Sequence, residues 1–353
     1  MAYSTIDKST LHQEGKTYLG SASAVTTTGL GFQPDLVWVK DRDNGNTNCL
    51  VDAVRGVGKY LVSNTVAAEV DNSTNSISAF TSDGFTTGTG NPANESASTT
   101  LGFMSWNWKA NGAGSLNEVG STASTVSANT TSGFSIVKYT GTGANATVGH
   151  GLGVVPKFII VKVYSTTNNW RCYHEALGND YMITLELTDA KASSSTAWNS
   201  TTPTSTVFSL GSLGSTNSNT ETFIAYCFAD ISGFSKFSNY IGNGSSTGDG
   251  SFIYTGFKPT FVMVKRTNGA KNWHIFDTTR STYNITKADL KPNLADAEDD
   301  SNDWLDILSN GFKWRIASGD ADYADVNGDG DTYIYMAFGQ PIISNSGTCA
   351  TAR

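Results

Sequence analysis

Apolar residues along this chain fall in short runs that alternate with smaller or polar side chains, and Gly, Asn, Ser and Thr fill the stretches between them. Phe103-Met104-Ser105-Trp106-Asn107-Trp108 shows the pattern. Such alternation predicts a half-buried strand. Phe223-Ile224-Ala225-Tyr226-Cys227-Phe228 and Tyr333-Ile334-Tyr335-Met336-Ala337-Phe338 repeat it. Tight hairpins are predicted at Ser82-Asp83-Gly84-Phe85 and Ser309-Asn310-Gly311-Phe312, because Asp-Gly and Asn-Gly suit the turn. Helix is predicted only as short turns at 66–69, 188–191 and 287–290.

These strands recur in a fixed order, which marks an internal repeat. An opener appears as Tyr18-Leu19-Gly20, as Tyr139-Thr140-Gly141 and as Tyr240-Ile241-Gly242. Pro34, Pro156 and Pro259 each precede an apolar strand that ends, six residues on, in Lys40, Lys162 or Lys265. The three lysines are therefore expected at equivalent strand ends. Trp170 and Trp273 follow their lysines by eight residues. Asp52 with Arg55, and Asp277 with Arg280, hold matching places, while the second copy has His174 and Leu177 there. The fold expected is all-β, with very little helix. It has three tandem β-sandwich modules, jelly-roll-like or Ig-like, joined in a row over residues 1–115, 116–231 and 232–353.

Composition narrows the function classes. Of 353 residues only 15% are charged, against roughly 25% in ordinary globular domains. The net charge of −8 leaves no basic footprint for nucleic acid. No run approaches the roughly 20 apolar residues of a membrane span, and the first residues lack the pattern of a signal peptide. Cys49, Cys172, Cys227 and Cys349 lie far apart and are expected as free thiols in a protein made in a cytosol.

The stretches 139–153, 232–244, 255–266, 332–338 and 351–353, in that order, resemble uncharacterised repeat-containing structural proteins of tailed bacteriophages, especially marine ones. Members are described as tail, tail-fibre or unspecified structural proteins. The resemblance implies a non-enzymatic virion protein, made in the host bacterial cytoplasm, that serves as a tail fibre, appendage or host-surface binder. It also implies a homo-oligomer, a trimer by analogy, touching other virion proteins and a host surface glycan or protein. A capsid decoration or head-fibre protein is the alternative within that class. A polysaccharide-degrading enzyme of the virion is the alternative from another class. One stretch departs from the expected neutral turn, Asp325-Val326-Asn327-Gly328-Asp329-Gly330-Asp331.

That departure is the first candidate for chemistry. Asp325, Asn327 and Asp329 match the first half of an EF-hand loop, but its twelfth position falls on Met336 instead of a bidentate Glu. A looser calcium turn would add Asp331 as a ligand. The reading preferred is a solvated hairpin turn, with no cofactor. The acidic run 296–303 reads as a solvated loop. Gly244-Ser245-Ser246-Thr247-Gly248 fits G-x-S-x-G but leads into the strand Phe252-Ile253-Tyr254 where a nucleophile elbow needs a helix. The Asp52/Arg55 and Asp277/Arg280 pairs read as structural ion pairs or turn brackets. His174 and His274 read as packed or hydrogen-bonded. Trp38, Trp106 and Trp108 belong to core strands, whereas Trp198 and Trp304, in polar loop-like surroundings, are the candidates for an exposed contact with a sugar.

Overall fold

The computed structural model describes residues 4–344, 347 and 349–351. Each repeat is built on the same four antiparallel strands in the same order, which form the whole main sheet in repeats one and three and the centre of an eight-stranded sheet in repeat two. In repeat one the opening strand Gln13–Tyr18 pairs with the closing strand Phe103–Trp108, which pairs with the lysine strand Leu36–Asp41, which pairs with Cys49–Asp52. Repeat two sets Phe134–Thr140, Thr222–Phe228, Phe158–Val163 and Arg171–His174 in that order. Repeat three does so with Ser235–Ile241, Thr332–Pro341, Phe257–Arg266 and Trp273–Asp277. The three lysines face Met104, Ile224 and Ile334, the second residues of the three aromatic motifs.

A smaller sheet covers the outer face of each main sheet and makes a sandwich. It is Thr26–Thr27, Gly84–Thr87 and Ile77–Thr81 in repeat one, and Ala146–Gly149 with Val207–Leu210 in repeat two. In repeat three it is Phe252–Tyr254, Gly311–Trp314 and Leu305–Leu308. Both predicted hairpins form, with Thr81 opposite Gly84 and Leu308 opposite Gly311. Each sandwich encloses its own apolar core.

The inner faces of the three main sheets are not left to solvent. They meet in one further core that draws Trp38, Trp106 and Trp108 from repeat one, Phe158, Trp170 and Phe228 from repeat two, and Phe261, Trp273 and Phe338 from repeat three. Main strands are therefore buried on both faces, and all six residues of Leu36–Asp41 and of Phe158–Val163 are inaccessible. Trp108, Phe228 and Phe338, the last aromatics of the closing strands, form a triangle with ring centroids 6.0–6.3 Å apart. The sandwiches thus close as a ring around a pseudo-threefold axis and do not stand in a row.

Two local expectations change. The first boundary, at 115/116, cuts through Ser115–Asn117, a strand that pairs with Ser124–Asn129 and belongs wholly to repeat two. The segments 66–69, 188–191 and 287–290 are not helical. Among the described residues the α-helices are single turns, Gly214–Asn217 and Tyr323–Val326. The carbonyls of Val66 and Thr188 accept instead from lysines of other repeats.

Candidate functional site

The residues singled out by the repeat lie where one sandwich meets the next. Lys40 donates to Asn46 O (2.7 Å) in its own repeat and to Ala295 O (2.5 Å) of repeat three. Lys265 donates to Arg266 O (2.9 Å) and to Thr188 O (2.9 Å) of repeat two. Lys162 donates to Asn168 O (2.8 Å) and to Val66 O (3.1 Å) of repeat one. The direction is cyclic, one to three, three to two, two to one. Eight residues after each lysine a second donor follows the same circuit. Asn48 Nδ2 reaches Pro292 O and Leu294 O, Trp170 Nε1 reaches Val62 O and Thr65 O, and Trp273 Nε1 reaches Thr184 O.

Burial pushes the ammonium groups of Lys40 and Lys162 down to about 8 and that of Lys265 to about 7, with nearby carboxylates opposing the shift. A lysine whose folded value lies below its unfolded value near 10.5 binds its proton more readily in the unfolded chain. Its presence costs stability below the folded value, and the cost disappears as pH rises to the unfolded one. For Lys162 the span is worth at most about 3 kcal/mol. The stability of the native chain relative to Lys162→Met is therefore expected to rise between about pH 8 and pH 10.5. Denaturation midpoints measured across that range check it, and parallel curves for the two proteins would contradict it.

The Asp/Arg pairs are brackets that also cross the interface. Asp52 Oδ1 accepts from the Val54 and Arg55 amides, while its Oδ2 accepts from Arg55 Nε (2.6 Å) and from the Tyr226 hydroxyl of repeat two (2.9 Å). Asp277 does the same with the Thr279 and Arg280 amides, Arg280 Nε (2.6 Å) and Trp106 Nε1 of repeat one (3.1 Å). Trp106 and Tyr226 hold the same place in their closing strands, and in repeat three that place is Met336, which has no donor. The facing residue of repeat two is His174 instead of an acid. Burial lowers its pKa to about 4 and keeps it neutral. Its Nδ1 accepts from the Ala176 amide, so Nε2 carries the hydrogen and donates to Tyr335 O at 3.3 Å. The missing pair in repeat two answers the missing donor in repeat three.

A further set of equivalent residues has no fixed spacing in the sequence. The opener tyrosines donate to Ala93 O (2.6 Å), Thr216 O (2.7 Å) and Val326 O (2.6 Å). The next residue in each case is a fully buried asparagine, Asn94, Asn217 or Asn327. Each accepts an amide of the opener loop, from Ser21, Thr142 and Asn243 respectively. Asn94 follows a turn, while Asn217 ends and Asn327 follows a single helical turn, in stretches of unequal length. The one signal for them is the shared distance from Asn217 and Asn327 to their closing aromatics.

Several expectations are corrected here. The stretch 325–331 is not a solvated hairpin turn, since Asp325 and Asn327 are buried, and its four candidate calcium ligands are engaged separately or face solvent. Asp325 pairs with Lys271 (2.6 Å) and Asp331 with Arg266 (2.6 Å), Asn327 holds the opener, and Asp329 is exposed. No group of three or more His, Cys, Asp or Glu among the described residues is placed to hold a metal ion. Within the acidic run, Glu298 is not solvated; it is almost inaccessible and bridges Arg42 (2.7 Å) and Arg280 (3.1 Å). Trp198 and Trp304 are not exposed contacts, at 2% and 0% accessible. Their polar loop neighbours face solvent while each indole is the anchor of its loop. Trp198 packs edge-on against Tyr173, and Trp304 lies against His274 and Phe276. Trp304→Ala is expected to lower stability by about 3–5 kcal/mol. Chemical denaturation checks this, and an unaltered midpoint would return Trp304 to the surface.

Repeat three also holds a buried chain of charges. His274 sits between Asp289 (3.0 Å) and Asp325 (3.2 Å), which are backed by Lys291 and Lys271. Burial opposes its charge, yet Asp289 and then Asp325 outweigh burial and hold the imidazolium up to about 9. All four cysteines are free, with Cys49, Cys172 and Cys227 buried and Cys349 exposed.

This geometry defines a class, an all-β chain whose three sandwiches form a pseudo-threefold ring tied by buried polar contacts. The chain belongs to the family described as "Domain of unknown function (DUF7483)", which matches residues 8–341. No curated protein and no solved structure matches it.

Proposed function

We propose that the chain is a non-enzymatic structural protein of a bacteriophage virion, a tail fibre or appendage component that presents a surface to the host. The observation that carries the non-enzymatic part is the use of its repeated polar residues. The three lysines, the Asp/Arg brackets and the buried asparagines all serve contacts between or within the sandwiches. A cleft of about 600 Å³ at the start of repeat three contains a single carboxylate, Asp230, ion-paired to Lys236 at 2.8 Å. Glycoside hydrolysis ordinarily needs two carboxylates flanking the substrate. The virion part rests on the sequence resemblance, and the threefold form suits an appendage of that symmetry. Because the inner faces are covered within one chain, a homo-oligomer would use outer surfaces.

Electron microscopy of purified particles carrying an antibody label on this chain tests the reading. Label on the tail or its appendages is the expected result, and label on the capsid favours a decoration protein. Release of reducing ends from host polysaccharide by the purified chain would overturn the non-enzymatic assignment.

A further inference from the structure

Among the described residues the exposed large aromatic side chains are Phe252, Tyr254 and Tyr283, and all three border the small sheet of repeat three. Phe252 and Tyr254 alternate with the buried Ile253 on the edge strand, so both side chains stand on the outer face, about 7 Å apart along it. They are 46% and 61% exposed. Each ring lies beside a glycine. A ring carbon of Phe252 is 3.1 Å from where a Cβ on Gly311 would stand, and the Tyr254 ring is 3.8–3.9 Å from that point on Gly256. Tyr283 sits at the opposite edge, in a segment held to the sheet by Asn284, whose side chain bonds both backbone groups of Ile307.

Repeat one provides an internal control. Its hairpin has Gly84-Phe85 where repeat three has Gly311-Phe312, and Thr27 faces Phe85 as Ile253 faces Phe312. The residues matching Phe252 and Tyr254 are therefore Thr26 and Thr28, both exposed. The same framework stands with two threonines over the same glycine, so folding does not require the rings.

The face is polar between its aromatics. Lys313 lies directly across from Phe252, and Asp306 beyond it. Both are already paired, Lys313 with Asp249, and Asp306 with Arg315 at 3.5 Å. A protein interface concentrates apolar groups and excludes charge from its centre, which this face does not. Paired charges leave no net attraction for a polyanion. A pyranose ring has an apolar face of C–H groups and an edge of hydroxyls, and both find complements here, in the aromatic rings and in the charged pairs.

We propose that the outer face of this sheet, centred on Phe252 and Tyr254, binds a neutral pyranose polysaccharide. The proposal deepens the host-surface part of the function proposed above. Affinity electrophoresis of the full chain tests it, in gels containing soluble starch, hydroxyethylcellulose or galactomannan, with hyaluronate as the anionic control. Retardation by at least one neutral polymer is expected. Phe252→Thr and Tyr254→Thr, which install the arrangement of repeat one, are each expected to weaken it roughly tenfold with unchanged melting. The Thr26→Ala/Thr28→Ala chain is expected to be retarded like the native protein.

Retardation by no neutral polymer, by hyaluronate alone, or equally in the Phe252→Thr and Tyr254→Thr chains would overturn the proposal. So would sedimentation showing that these substitutions dissociate a homo-oligomer, which would make the face a self-interface. Particle labelling fails or succeeds independently of these gels, so loss of the virion reading and loss of the sugar face are distinguishable.

Discussion

Trp108→Ala is expected to destabilise the whole chain, and not repeat one alone, by about 3–5 kcal/mol. The indole is almost inaccessible and packs against Phe228, Phe261 and Phe338, one ring from repeat two and two from repeat three. Its removal leaves a cavity at the axis that no single sandwich can close. Because the shared core joins all three inner faces, loss of packing there weakens every sandwich together. Denaturant unfolding followed by Trp fluorescence and by far-ultraviolet circular dichroism is expected to show one coincident transition at a lower midpoint. A split curve, with two repeats unfolding at the native midpoint, would mean the sandwiches are independent. Trp108→Phe separates cavity from polarity. The Trp108 Nε1 hydrogen has no partner among the described residues. A phenyl ring keeps most of the packing and removes that buried donor, so the expected cost is under about 1.5 kcal/mol.

Asp277→Ala has the second large effect, about 3–5 kcal/mol, because it takes from a buried cation the nearer of its two carboxylates. The Arg280 side chain is fully inaccessible and loses its 2.6 Å partner, retaining Glu298 and Ile275 O. Trp106 Nε1 in repeat one loses its acceptor in the same step. Denaturation midpoints measure the loss at an unchanged denaturant slope, and a cost under about 1 kcal/mol would class the pair with exposed surface bridges. The converse substitution, His174→Asp, is expected to destabilise as well. It restores the acid of the repeat opposite Met336, which has no donor, and beside Leu177, where the arginine is absent. An Asp there is a buried charge without a partner.

The strands, the hairpins and the threefold order of motifs were legible in the sequence because each depends on residues near one another in the chain. Alternation reports local extension, Asp-Gly and Asn-Gly report turns, and a repeated order of Tyr, Pro, Lys and closing aromatics reports a repeated unit. The position of Lys40, Lys162 and Lys265 near matching strand ends belongs to this local level.

What only the tertiary structure decided is which faces are covered and by what. Closing strands read as half-buried, yet Phe103–Trp108 is buried throughout, since its second face is covered by other repeats more than a hundred residues away. The acceptors of the three lysines are backbone carbonyls, and a carbonyl has no sequence signature. The same holds for Trp198 and Trp304, whose polar neighbours predicted exposure while a distant core received the indoles. The ion pairs of Asp325 and Asp331 are likewise invisible to local reading, because Lys271 and Arg266 lie more than fifty residues upstream. Residue type and spacing determine what the backbone does locally; partners across the axis depend on how three sheets close upon one another, and that is fixed by packing over long range.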